Sequence, residues 1–306
     1  MLYTTLGNTG LRVSKLGLGC GRLGELDDVR SKQLVIGALE RGVNFFDTAD
    51  CYQAGESERK LGAALAFNRH QAVIATKFRH VKAYAGASRR SIRIAVEQSL
   101  QRLGTDYIDL YQLHSPDPTT PLEETIQTLQ ELVREGKILY FGLCNVKPWQ
   151  LVDAYHLANQ GLSNSLSSVQ CQANVFNPTA LDDMSDVLKK FKIGFLAASA
   201  LGRGLLGGRY DNANPPNQGH PLLTHKGSFY WHEKGWSFSE KLRMMATLHN
   251  TSPANLAVGL LLANTCVSSA LVGAGVVEQL QDTIGDGFFK VESEVVKWYQ
   301  PQKALF

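Results

Sequence analysis

The chain has 306 residues, 44% of them hydrophobic and 19% charged, enough to bury a sizeable core and too apolar for a disordered polypeptide. Its 31 basic and 28 acidic side chains leave a formal net charge of +3, too weak a field to recruit nucleic acid or an anionic membrane. The five cysteines, at 20, 51, 144, 171 and 266, are scattered and form no CxxC pair, so neither a disulfide framework nor a zinc site is expected and a reducing cytoplasm is the default.

The first element is a hairpin: YTTLGNTGLRVSKL holds two short runs around Asn8 to Gly10, suited to capping the bottom of a barrel. No signal-peptide core precedes it. From there, short β-branched or apolar runs alternate with stretches of helical spacing, the pattern of strand-helix units around a parallel sheet. The strands expected are KLGLG, NFFDT, AVIATK, YIDLYQLH, ILYFGLC, SVQCQ, GFLAAS and ALVGA. The helices between and after them begin near Asp28, Glu56, Ser88, Leu122, Pro148, Leu181, Pro253 and Val277. Ser88 is placed as an N-cap, Gly104 as a C-terminal glycine and Pro148 as a first-turn proline. ASRRSIR reads as a solvated helix face.

After the seventh strand comes a long aromatic segment, residues 209–237, before a helix near Glu240. A connection of that length is either a lid over a site or a loop packed on the rim. Its His220, His225 and His232 lack the spacing of a metal site, so no metal is expected. The longest apolar stretch, ANLAVGLLLANTCVSSALVGAG, is broken by Gly259, Asn264 and serines and reads as a buried helix followed by a strand, not a membrane span. The C-terminal KWYQPQKALF is expected to dock on the barrel through Trp298 and Tyr299.

Eight strand-helix steps without a break in composition give an α/β fold, a (β/α)8 TIM barrel in one domain over residues 1–306, with the N-terminal hairpin. In such barrels the active centre lies at the C-terminal ends of the strands. Asp47 ends the second run, Lys77 the third and His114 the fourth; Asn145 follows the fifth, Gln170 lies in the sixth, and Tyr52 stands five residues past Asp47. Singly, each has an ordinary reading: a turn former, a solvated strand end, a loop histidine, a packing ring. Gathered at one rim they form a proton donor. A phenol with pKa of about 10 needs a neighbouring cation to stabilise its anion, and a buried lysine needs a carboxylate to stay charged. Lys77 and Asp47 take those parts, Tyr52 gives the proton, and His114 orients a carbonyl oxygen.

The segments GLGCGRLG, FDTADCYQAGESERKLGAAL, IATKF, DYIDLYQLHSPDP, EGKILYFGLCN, VQCQANVFNP, ASALGRGLLGGRY and LVGAGVVEQLQDTIG resemble the aldo-keto reductase family over nearly the whole chain. The resemblance implies metal-free, reversible reduction of a small-molecule carbonyl by nicotinamide hydride, with a catalytic tetrad of Asp47, Tyr52, Lys77 and His114. It implies NADPH as cofactor, with NADH possible. Cys20 and Gly21 would lie near the cofactor's middle, and Asn145 and Gln170 on the nicotinamide amide. Ser199, Leu201, Gly202, Arg203 and Gly204 would wrap the pyrophosphate, a part shared by Gly273 and Gly275 after the eighth strand, with Gln279 and Asp282 near the adenosine. The other readings are a dehydrogenase oxidising a sugar or alcohol with NAD, and a cofactor-sensing subunit with little turnover.

GxGxxG from Gly19 to Gly24 also spells a dinucleotide fingerprint, but that fold would leave Lys77 and His114 without a task. Three positions depart from the family pattern: Ala198 where an aromatic ring usually stacks on the nicotinamide, Cys144 where serine is usual, and no arginine at the end of the cofactor groove. Asp282 there would repel a 2′-phosphate, whereas family habit favours NADPH. Substrate and oligomeric state are not legible.

Overall fold

The computed structural model describes residues 1–160, 166–224, 227–287 and 292–303, the last three residues by backbone alone. Strands β1 (Tyr3–Thr5) and β2 (Arg12–Ser14) pair antiparallel, Tyr3 opposite Ser14. Eight further strands follow: β3 (Leu16–Gly19), β4 (Phe45–Asp47), β5 (Val73–Phe78), β6 (Ile108–Leu113), β7 (Ile138–Cys144), β8 (Leu166–Gln172), β9 (Gly194–Ala198) and β10 (Val267–Val272). They close into a barrel in sequence order, every neighbour parallel, with β10 returning to β3. The expected hairpin and (β/α)8 TIM barrel are both present.

Barrel strands read as continuous apolar runs because both faces are covered, one by helices and one by the barrel interior; VIATKF of β5 and IDLYQL of β6 are buried along their full length. The covering helices are α1 (Asp28–Glu40), α2 (Glu56–Leu65), α3 (Arg89–Leu103), α4 (Leu122–Arg134), α5 (Pro148–Asn159), α6 (Thr179–Phe191), α7 (Glu233–Leu248), α8 (Pro253–Leu262), α9 (Val277–Ile284) and α10 (Ser293–Lys303). In α4 the apolar Ile126, Leu129 and Leu132 recur at helical spacing and are buried, while Glu123 faces out. Ser88 caps α3 by accepting from the Ser91 N–H at 3.3 Å, and Gly104 ends it at φ +61°.

The hairpin closes the N-terminal end of the barrel. Leu6 and Val13 pack with Phe45, Val73, Ala75, Leu110, Leu196 and Leu271 in a lower core layer. Gly7, at φ +57°, runs so close to the strand ends that a Cβ there would lie 2.4 Å from the Ser167 carbonyl oxygen. With that end plugged, a site must open at the other.

Several expectations are refined. The arginines of ASRRSIR are not merely solvated: Arg89 reaches Glu131 at 2.5 Å, and Arg93 reaches Glu131 at 2.9 Å and Glu135 at 2.7 Å, linking α3 to α4. The last segment docks as a helix, α10, with the Tyr299 hydroxyl donating to the Val175 carbonyl at 3.0 Å and Trp298 against Phe238. Helix α7 starts at Glu233 and takes in Trp236. Before it, Tyr230 is wholly buried; its hydroxyl accepts from Gln172 Nε2 at 2.6 Å and Asn174 Nδ2 at 3.1 Å, and its ring lies near Phe176. The aromatic segment is thus packed on the rim at this point. His220 accepts from the Leu222 N–H, His232 pairs with the Phe229 carbonyl, and His225 lies outside the described residues. No helix among the described residues is long and apolar enough to cross a membrane.

Candidate active site

Asp47 is the last residue of β4, and on β5 Lys77 stands in register with Gln112 of β6. Both charges are buried, Asp47 at 4% and Lys77 at 0% exposure. Lys77 Nζ donates to Asp47 Oδ1 at 2.5 Å and to the Thr48 carbonyl at 2.8 Å. The other carboxylate oxygen accepts from Gln170 Nε2 at 2.8 Å and Gln112 Nε2 at 3.2 Å. A buried ion pair is tolerable only with its lone pairs and protons satisfied; here the carboxylate has three donors. Burial is the strongest single influence on the Lys77 ammonium and pushes it toward losing its proton, but the Asp47 carboxylate, Tyr52 and Cys144 together outweigh it, and the lysine is held above its ordinary range.

Lys77 Nζ lies 5.4 Å from the centre of the Tyr52 ring. Its charge is the largest single influence on the phenol and lowers its pKa, as expected. Burial and the nearby Asp47 act the other way, however, and together win, so the phenol sits above its ordinary value. His114, one residue past β6, meets the Tyr52 ring edge-on at 5.8 Å between centroids, and its Nδ1 is 3.8 Å from the Cys51 sulfur. The four side chains expected at one rim are therefore together at the C-terminal mouth.

Around them lie the segments that follow the other strand ends. At β3, the Cys20 N–H donates to the Asp47 carbonyl at 2.8 Å, and the Gly21 carbonyl accepts from Gln53 Nε2 at 2.9 Å. Past β9, Ser199, Gly202, Arg203 and Gly204 all have φ between +54° and +104°. The Gly202 N–H turns back to the Ser199 carbonyl and the Gly204 N–H to that of Leu201. Arg203 Nε is buried without a hydrogen-bond partner among the described residues. Past β10, a Cβ on Gly273 would meet nothing nearer than 3.7 Å and one on Gly275 nothing nearer than 3.9 Å; the Gly275 N–H is held by Gln279 Oε1 at 2.7 Å. Open backbone on one side and an uncommitted guanidinium N–H on the other suit an anionic, extended ligand.

Residues 15–299 match the family model described as the Aldo/keto reductase family. The chain belongs to this family. It is also 33% identical to YrpG of Bacillus subtilis (strain 168), described as an uncharacterized oxidoreductase, over 313 aligned positions that cover 97% of this chain and 94% of the relative.

In this aldo/keto reductase, two residues expected to face the nicotinamide are already bound within the protein. Gln170 gives its amide hydrogens to Asp47, and Asn145, at φ +56°, gives its own to the His114 carbonyl at 2.9 Å. The reason for the first is that a buried carboxylate oxygen must find donors. Asp282 is not a bare acid at the groove's end: Arg209 stands 3.3 Å away, with both side chains exposed. Ala198 pairs with Gln172, whose side chain holds Tyr230; that ring is fully buried and offers no open face in place of the missing aromatic. The GxGxxG run leads only to a short 3-10 turn, Leu23–Glu25, and Gln53 fills the face of Gly24, so no helix N-terminus meets those glycines.

Sequence reasoning passed over Gln112. The signal was available: a glutamine inside an apolar strand, two residues before His114 and so on the same face. Cys144 then gains a part, since its thiol donates to Gln112 Oε1 at 3.7 Å, which leaves Nε2 for Asp47.

Proposed function

We propose that this chain reduces the carbonyl group of a small molecule with NADPH, and that Tyr52 is the general acid. The observation that carries the reading is the ion pair of Lys77 with Asp47 lodged against Tyr52 at the barrel mouth, beside His114. NADPH, when bound, supplies the hydride received by the carbonyl carbon. Its pyrophosphate would be held by Ser199, Leu201, Gly202, Arg203 and Gly204, with Gly273 and Gly275 opposite. Cys20 and Gly21 would lie by its middle, and Gln279 and Asp282 by its adenosine. Asn145 Oδ1 and Gln170 Oε1, which accept no hydrogen bond among the described residues, remain for a carboxamide.

The chain's own residues manage the proton. With its pKa raised, Tyr52 holds its hydrogen at neutral pH, which a general acid must do. The oxygen of a forming alcohol is a much stronger base than a phenolate, so the transfer runs downhill even from a raised phenol. Lys77 then faces the phenolate left behind, its position fixed by Asp47 and the Thr48 carbonyl. His114 directs the substrate oxygen toward Tyr52. Gln112 and Gln170 keep Asp47 from turning away.

Replacing Tyr52 by phenylalanine should lower the turnover of an aldehyde by on the order of a hundredfold to ten-thousandfold, followed as NADPH absorbance. Turnover equal to wild type would end the general-acid reading. The preference for NADPH over NADH rests on Arg209, which offsets Asp282. Arg209→Ala should weaken NADPH by roughly three- to tenfold relative to NADH in fluorescence titrations; equal weakening of both removes Arg209 from the 2′-phosphate.

A further inference from the structure

Arg79 is the residue after β5, two positions past Lys77, and its backbone has φ +117°, a conformation that side chains other than glycine rarely adopt. Such strain persists only where the surroundings hold it, and it concentrates at ligand sites. Here the Gly86 N–H donates to the Arg79 carbonyl at 3.0 Å and the Arg79 guanidinium donates from NH1 to Ser115 Oγ at 2.8 Å. Ser115 Oγ also lies 3.1 Å from His80 Nε2, and the His80 ring stands 5.0 Å from that of His114. Arg79, Ser115 and His80 therefore continue the rim outward from the residue that faces the carbonyl.

The guanidinium is under-used. Among the described residues its buried Nε has no hydrogen-bond partner, and no carboxylate lies within 4.0 Å of it. The acid of the same rim, Asp117, is spent on its own loop: it accepts from the Ala87 and Thr119 N–H groups and from the Thr119 and Thr120 hydroxyls. Half-buried arginines usually meet a carboxylate, because the planar fork matches one.

Resting on the reductase reading, we propose that Arg79, with Ser115 and His80, receives a carboxylate on the substrate, so that the preferred substrates are aldehydes or ketones that are also carboxylic acids. A single fork and one hydroxyl suit a monoanion. The carbonyl would lie at Tyr52 and His114 and the acid farther along the rim.

The test pairs 4-carboxybenzaldehyde with 4-nitrobenzaldehyde, of nearly the same shape and without the charge. In wild type, kcat/KM should favour the carboxylate, mainly through KM, and added salt should erode that preference. Arg79→Ala should cut the ratio of the two kcat/KM values by about 10- to 100-fold, and Arg79→Lys should recover part of it. A ratio unmoved in both variants, or an equal loss on both aldehydes, overturns the subsite and leaves Arg79 a structural residue. If neither aldehyde is consumed, the reductase reading fails separately. Calorimetric titration of the two compounds into wild type and the variants then decides the subsite, which is lost if the carboxylate binds no better than the nitro compound.

Discussion

Lys77→Met is expected to cost both turnover and folding stability, and the two losses should separate in a double variant. Among the described residues the ammonium is the only cation on Asp47 Oδ1, and the carboxylate is 4% exposed. Without it, Gln112 and Gln170 still donate to Oδ2, but a full charge stays buried and uncompensated, at a cost of about 3–5 kcal/mol. Turnover should drop by at least about a hundredfold, because the phenolate of Tyr52 then loses the lysine charge beside it. Asp47→Asn combined with Lys77→Met removes the orphaned charge and should recover most of the stability with none of the turnover. Full aldehyde reduction by Lys77→Met would show that the charge serves only the fold, and failure of the double variant to regain stability would show that the loss came from packing.

The site residues differ in how plainly the sequence announced them, and the difference has a physical cause. Asp47, Lys77 and His114 were legible because each is a polar side chain at or just past the end of an apolar strand run, and a barrel carries all such ends to one mouth. The partner of Gln170 was not: it depends on the register of β7 on β8, which shifts between Phe141 and Gly142, and on the reach of one amide across the barrel. The net effect on Tyr52 was hidden for another reason. Spacing shows that a lysine is near, but the sign of the shift is set by burial and Asp47 together, which depend on the packed structure. Arg79 gives no signal in the sequence, because its φ and the unpartnered Nε exist only in the folded chain.

Asp50→Asn should change how stability depends on pH, with the two proteins exchanging rank. Asp50 is 1% exposed, its N–H donates to the Lys77 carbonyl at 3.0 Å, and among the described residues neither carboxyl oxygen meets a donor at full hydrogen-bond geometry. Burial first, and then the Glu58 charge, push its pKa to about 7, against the pull of Arg102, the Cys51 N–H and Lys77. Arg102, the strongest of those pulls, is shared with Glu58 at 2.6 Å; from β6, Tyr111 adds a buried hydroxyl without a hydrogen-bond partner among the described residues. An aspartate with pKa of about 3.9 when unfolded binds its proton more tightly in this folded site. The stability this confers is fully present below about pH 4 and is lost as pH rises through about 7, up to about 4 kcal/mol for a shift of about three pKa units. Asparagine does not titrate, but its buried amide goes unsatisfied, at a constant cost of about 1–3 kcal/mol. Urea midpoints should therefore place wild type above the variant near about pH 4 and below it near about pH 8. Parallel curves across that interval would mean that Asp50 keeps one protonation state throughout, and the buried acid behind Lys77 would then have no part in the protein's response to pH.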